Sequence, residues 1–392
     1  MLSHVAKQRI ENVMQQGVTG CEISGANLLV LKGHEPIYYY QVGYAEIESQ
    51  TPIQRDSLFR LYSMTKPVTA VAAMMLMERG AFDLFDPVEK YLPGFKGQKV
   101  VENGKEVPAK RPVTIMDLLA MTAGLVYGGE SITGQGTGAM WEEMDQRLFG
   151  DNPMTTQEAM NRLGQVPLLF HPGESWEYST CADVLGAVIE VASGKRFSTF
   201  LQEELFGPLG MKDTKFYVPQ DQAQRLVTTY ANTADGGWEV YAGNNLGIIN
   251  AMDREPAFES GGAGLVSTVD DYAKFATMLL NGGTYEGKRI MRQKTIDYMI
   301  SRTLTPEQAQ SFKNWHTLSG HTYGSLMRIV TDPASAGILT SPGEYGWDGW
   351  LGCYFANFPA DNLTILFMTN RKDSGTLPIT RRLRNIILAD LL

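Results

Sequence analysis

Segments patterned as β-strands lie only toward the two ends of this 392-residue chain, and the stretch between them carries helix signals; no other feature constrains the fold as much. Runs rich in aliphatic and aromatic residues at 27–32, 36–42 and 58–62 read as strands, separated by Gly33 and by polar segments. Strand patterns return at 322–330, 351–358 and 363–369, the last two joined by Pro359-Ala360-Asp361-Asn362, a hairpin-type connection. Between them, Thr114 with Asp117, Thr155 with Glu158, Thr180 with Asp183 and Thr268 with Asp271 have the spacing of helix capping boxes. Leu2, Val5, Ala6, Ile10, Val13 and Met14 recur at helical spacing before Gly17, and Ile379, Leu383, Ile386, Ile387 and Leu391 do so at the other end. The expected fold is therefore α+β: an antiparallel sheet flanked by helices and built from both termini, 1–62 and 262–392, with a mainly helical lobe, 63–261, inserted and a cleft between the two lobes.

Composition narrows what such a cleft binds. A hydrophobic content of 43% is enough for a full core. The net charge of −9 comes without a long run of one sign, which argues against nucleic acid or an anionic membrane as partner and for a small molecule. The three cysteines, Cys21, Cys181 and Cys353, have no paired spacing, so free thiols and a reducing compartment are expected. With no apolar leader and no membrane-length apolar run, the expectation is a cytoplasmic protein. The glycine-rich stretch 127–138 reads as a mobile loop; no strand leads into its Gly134-x-Gly136-x-Gly138, which excludes a phosphate cradle, and no cofactor is expected. His316 and His321 lack an acidic partner at metal spacing and read as exposed loop residues; His171, before Pro172-Gly173, reads as structural, and no metal is expected. There is no G-x-S-x-G elbow.

What remains is Ser63-Met64-Thr65-Lys66, where a strand-like segment gives way to a helical one. Residues three apart share a helix face, so the lysine amine reaches the serine hydroxyl. A serine is a poor nucleophile until its proton is removed, and a lysine in a dry cleft can remove it because burial lowers its pKa. Ser-x-x-Lys alone is common; its position after the first strands is what gives it weight.

From Ser63, the stretch SMTKPVTAVAAMMLMERGAFDLFDPVEKYLP resembles class C β-lactamases and family VIII carboxylesterases, members of the serine β-lactamase-like and penicillin-binding-protein superfamily. LLAMTAGL at 118–125, HPGESWEYST at 171–180, ESGGAGLVSTVDDYAKF at 259–275 and YGWDGWLG at 345–352 are similar to further segments of that family in the same order. The resemblance implies that Ser63 is the nucleophile and that Lys66 and Tyr178 share the general-base and proton-relay roles. A phenol serves as a base near neutrality only where an ammonium stabilises its phenolate, which Lys66 can supply. It implies an oxyanion hole from the backbone N–H groups of Ser63 and Trp350. Trp347-Asp348-Gly349 falls where β-lactamases carry Lys-Thr-Gly and several esterases carry Trp-Gly-Gly, so these three residues, with Thr180 and Tyr127, form the implied substrate-binding set; Gly349 is expected to let the strand approach a ligand. Thr180 replaces the asparagine of penicillin-recognising relatives, and Met121 a frequent histidine. The expected function is a serine carboxylesterase acting on small or short-chain esters through an acyl-enzyme. A β-lactamase, D-amino-acid amidase or peptidase, or acyltransferase of the same fold stands as the alternative, and a non-catalytic binding homologue as a different class. The sequence leaves the oligomeric state open.

Overall fold

The computed structural model describes residues 1–391, the side chain of His316 excepted. Eight strands form one antiparallel sheet: β1 (Gly25–Lys32), β2 (Glu35–Glu46), β3 (Thr51–Pro52), β4 (His321–Gly324), β5 (Met327–Val330), β6 (Tyr345–Asp348), β7 (Tyr354–Phe358) and β8 (Leu363–Met368). Their order across the sheet is β4-β5-β6-β7-β8-β1-β2-β3. The two ends of the chain meet at the β1/β8 ladder, which runs from Asn27 opposite Met368 to Lys32 opposite Leu363.

Alternation along β1 explains the layers. Leu28 and Val30 face helices α1 (His4–Thr19) and α8 (Pro378–Leu391), packing with Ile10, Met14, Ile379, Leu383 and Ile387. Leu29 and Leu31 face the opposite way, into the larger core shared with α2 (Thr65–Glu78) and α7 (Val269–Leu280). The inserted segment supplies α3 (Ile115–Ala120), α4 (Ile132–Arg147), α5 (Thr156–Leu163) and α6 (Cys181–Ser193). The side chains of Thr114, Thr155 and Thr268 cap α3, α5 and α7 as their spacing predicts. Among the described residues no helix is long and apolar enough to cross a membrane.

Four local expectations are corrected. The run 58–62 is not a strand of the sheet: only Phe59–Arg60 pairs, with Val266–Ser267, because Tyr62 takes a left-handed φ of 44° and turns the chain into the 3-10 turn Tyr62–Met64. The run 322–330 is two strands, since Ser325 and Leu326, with φ of 48° and 59°, make a tight hairpin turn. The glycine-rich stretch 127–138 is mostly the start of α4, where Ser131 accepts from Gly134 N at 2.9 Å. Its glycines serve packing: a Cβ on Gly134 would lie 2.6 Å from the Gly129 carbonyl, and one on Gly136 2.8 Å from Val166. His321 opens β4 and is half-buried, and desolvation, reinforced by the Arg328 guanidinium, pushes its imidazole down to about 4.

Candidate active site

The turn that carries Ser63 is held from behind. Arg60 is buried and donates to the carbonyls of Val227 (2.7 Å) and Asn250 (2.7 Å), fixing the chain two residues before the turn. Tyr62, in a conformation costly for a bulky residue, packs its ring edge-on against Trp350 at 4.9 Å. Ser63 then opens toward the cleft, while α2 begins at Thr65 and carries Lys66 and Pro67 into the core. Pro67 falls in the first turn of α2, where its missing N–H costs least.

Lys66 is wholly buried, and its Nζ lies 3.0 Å from Ser63 Oγ and 2.9 Å from the Gly262 carbonyl. Two aromatic faces enclose the amine: the Tyr178 ring at 4.8 Å and the Tyr127 ring at 5.5 Å. Tyr178 stands in the loop before α6, its ring 5.5 Å from that of Trp347 and 5.1 Å from that of Trp315. The Trp347 indole N–H donates to Tyr178 Oη at 3.1 Å. Ser63, Tyr178, Trp347, Trp350, Trp315 and Leu318 line one cleft of about 460 Å³, a size suited to a small ligand.

A model of the beta-lactamase family matches residues 10–389. The chain belongs to the beta-lactamase family. Esterase EstB of Burkholderia gladioli is 30% identical over 400 residues, covering 97% of this chain and 95% of the relative. Protein Rv1367c of Mycobacterium tuberculosis is 34% identical over 356 residues, covering 88% of this chain and 85% of the relative. Among solved structures, EstCE1, described as a hydrolase with promiscuous acyltransferase activity, superposes with a TM-score of 0.82 at 25% identity, covering 98% of each chain. The chain is thus a beta-lactamase-fold protein of a serine hydrolase family.

Within this beta-lactamase-family cleft the predicted substrate-binding residues divide. Trp347 is there, but its one donor is committed to Tyr178. Asp348 reaches the cleft edge with its charge already met, by Arg328 at 2.9 Å and by the Thr376 hydroxyl. Gly349 also lines the cleft, and a Cβ there would lie 2.3 Å from the Leu61 carbonyl, so the bare backbone lets the end of β6 close on the Ser63 turn. Tyr127 packs behind Lys66, and its phenol is pushed well above the usual range by burial. Thr180 is fully buried at the start of α6 and stands apart from the cleft lining. Trp350 contributes a wall whose indole N–H donates to Asp373 at 2.7 Å. His171 contacts Glu102 at 2.7 Å, away from Ser63, as a structural histidine would.

Two features escaped the sequence. Trp315 and Leu318 form a cleft wall from a polar stretch with no catalytic signature. Asp183, read as the capping partner of Thr180, makes no cap; its carboxylate turns inward to Ser260 and Gly262, and burial raises its pKa against the opposing pull of Lys66. An acid near the start of the largely apolar CADVLGAVIEVAS was the available signal.

Proposed function

We propose that this protein is a serine carboxylesterase that cleaves small, neutral esters through an acyl-enzyme on Ser63. The observation that carries this reading is a wholly buried lysine 3.0 Å from a cleft-facing serine, beneath the face of Tyr178. Ser63 Oγ attacks the ester carbonyl while its proton passes to the Lys66–Tyr178 pair, which acts as one unit. The backbone N–H groups of Ser63 and Trp350 receive the oxyanion of the tetrahedral intermediate. The pair then returns the proton to the departing alcohol. Water, losing a proton to the same pair, releases the acid and restores Ser63. No metal or cofactor enters these steps.

The choice of ester over β-lactam follows from the lining. Tyr178, Trp315, Trp347 and Trp350 present apolar area, and among the described residues no lysine or arginine lines the cleft to hold a carboxylate. Losing one charge-assisted contact is worth about 1.5–3 kcal/mol, or roughly ten- to a hundred-fold in kcat/KM. The similarity to Esterase EstB over nearly the whole of both chains supports the same choice. Purified protein should turn over short-chain p-nitrophenyl esters at least about a hundred-fold more efficiently than a chromogenic cephalosporin. Equal or better cephalosporin hydrolysis would reject the esterase reading in favour of a β-lactamase. Adding a short alcohol to the same assay reads acyl transfer directly, because an acceptor that outcompetes water yields a new ester.

A further inference from the structure

Asp183 stands 2% exposed in the apolar helix α6, outside the cleft lining. A buried carboxylate is costly to keep unless its surroundings are built for it. Here they are. Asp183 Oδ1 accepts from Ser260 Oγ at 2.5 Å and from Gly262 N at 2.9 Å. The carbonyl of that same Gly262 accepts from Lys66 Nζ at 2.9 Å. Carboxylate and amine are therefore linked through a single residue rather than by a direct ion pair.

The fit depends on glycine. A Cβ on Gly262 would lie 2.6 Å from Asp183 Oδ2, and one on Gly261 2.3 Å from the Ala182 carbonyl, so side chains there would push the loop away from α6. Thr69 holds the same loop, donating to the Gly261 carbonyl at 2.6 Å. Helix α2, which carries Lys66 and Thr69, and helix α6, which carries Asp183, thus both hold one short loop.

We propose that Asp183 is a positioning residue for the proton relay: it fixes the Gly262 carbonyl that aims Lys66 at Ser63, and its negative charge sets the pH at which the Lys66–Tyr178 pair takes up a proton. The inference rests on the assignment of Ser63, Lys66 and Tyr178 made above. A direct ion pair would hold the proton on Lys66 too firmly for exchange; one intervening residue weakens the attraction while keeping its sign. The groups facing the amine are Tyr178 and Tyr127 by their rings, Ser63 by its hydroxyl and Asp183 through Gly262; Cys181 and Tyr323 lie in the same buried neighbourhood.

Asp183→Asn keeps the shape and one acceptor while removing the charge, and Asp183→Ser removes the charge with a smaller side chain. The readout is the rate at which Ser63 is labelled by a fluorophosphonate across pH 5–9, followed on the full chain beside its thermal unfolding. Without the carboxylate, the pair takes up its proton less readily, so the acid-side midpoint of labelling should fall by about one pH unit in a variant that unfolds at the wild-type temperature. A folded neutral variant with an unmoved midpoint, whatever its rate, overturns the proposal and leaves Asp183 a packing residue. Failure of both neutral variants to fold overturns it as well, assigning the carboxylate to the fold. Absence of Ser63 labelling in the wild-type protein is a different result and removes the catalytic assignment itself.

Discussion

Beneath the floor of the cleft Lys66 and Asp183 are almost wholly enclosed, whereas at the rim Trp315 keeps 40% of its surface in solvent. The polar groups of the floor are held from several directions: Lys66 by Ser63 and Gly262, Asp183 by Ser260 and Gly262, Thr69 by Gly261. The rim is held by ring contacts, Trp315 lying 5.1 Å from Tyr178 and 5.9 Å from Trp176. A buried, hydrogen-bonded floor resists rearrangement because each broken contact strands a polar group. Ring contacts at a surface can shift at lower cost. Under the proposed function, chemistry falls to the more tightly held part of the cleft and substrate choice to the more loosely held part.

The sharpest attempt to break this division is Ser63→Ala. It should lower hydrolysis of a short p-nitrophenyl ester by a factor on the order of 10⁴ or more while leaving circular dichroism unchanged, since Ser63 carries the hydroxyl that lies 3.0 Å from Lys66 Nζ. A folded variant retaining a tenth of the activity would remove Ser63 from the mechanism. Next in size, Lys66→Ala and Tyr178→Phe should each cost roughly 10³-fold, and the double variant should be scarcely worse than either, because both act on one proton path. Losses that multiply in the double-mutant cycle would mean that the floor is not a unit.

At the rim, Trp315→Ala should raise KM for bulky esters about three- to ten-fold and leave kcat within about two-fold, the signature of lost uniform binding. A fall in kcat with KM unchanged would place Trp315 with the floor instead. The smallest expected effect concerns the strand that follows this wall. The His321 imidazole titrates near 4 in the folded chain against 6.5 unfolded, so the unfolded chain takes up the proton first. The stability that this histidine confers is complete above about pH 6.5 and is lost as pH falls from there toward 4, amounting to roughly 1–3 kcal/mol. Urea midpoints of the wild type and His321→Gln should therefore lie close together at neutral pH and draw apart as pH falls toward 4, the wild type becoming the less stable because its folded state keeps the imidazole neutral; a gap that does not change with pH would show that His321 does not titrate with unfolding.

The structure brings Ser63, Lys66 and Tyr178 together as expected, the first two through a three-residue spacing legible in the sequence and Tyr178 through the resemblance of its proline–glycine segment to the family. Asp183 was misread because the capping rule looks three residues along the chain, while its partners Ser260 and Gly262 reach it from a distant loop. The close approach of Leu61 to Gly349 was not legible, since nothing local in the sequence reveals that the two lie together. The β4–β5 hairpin was hidden because Ser325 and Leu326 take left-handed angles without the glycine or asparagine that usually announces such a turn. The antiparallel sheet assembled from both ends was legible in outline because strand periodicity survives in 27–32, 36–42 and 363–369, which fall within or overlap β1, β2 and β8.

The ladder between β1 and β8 has a consequence for the order in which the molecule is made. Strand β1 leaves the ribosome before the helical insert, and the partner that fills its second edge, β8, follows that insert. Throughout synthesis the β1–β2 hairpin must wait with one edge bare while the whole helical insert is translated. Pairing across so long a loop is slow to form, and an unpaired edge is where strands from neighbouring chains add. The inserted helices, whose contacts are nearer in sequence, can fold during that wait, so the surroundings of Lys66 on α2 and α6 can take shape before the sheet closes over them. A circular permutant that joins the present ends, where Ser3 already donates to Asp390 at 2.7 Å, would bring β8 and β1 out of the ribosome together and shorten the interval in which aggregation competes with folding.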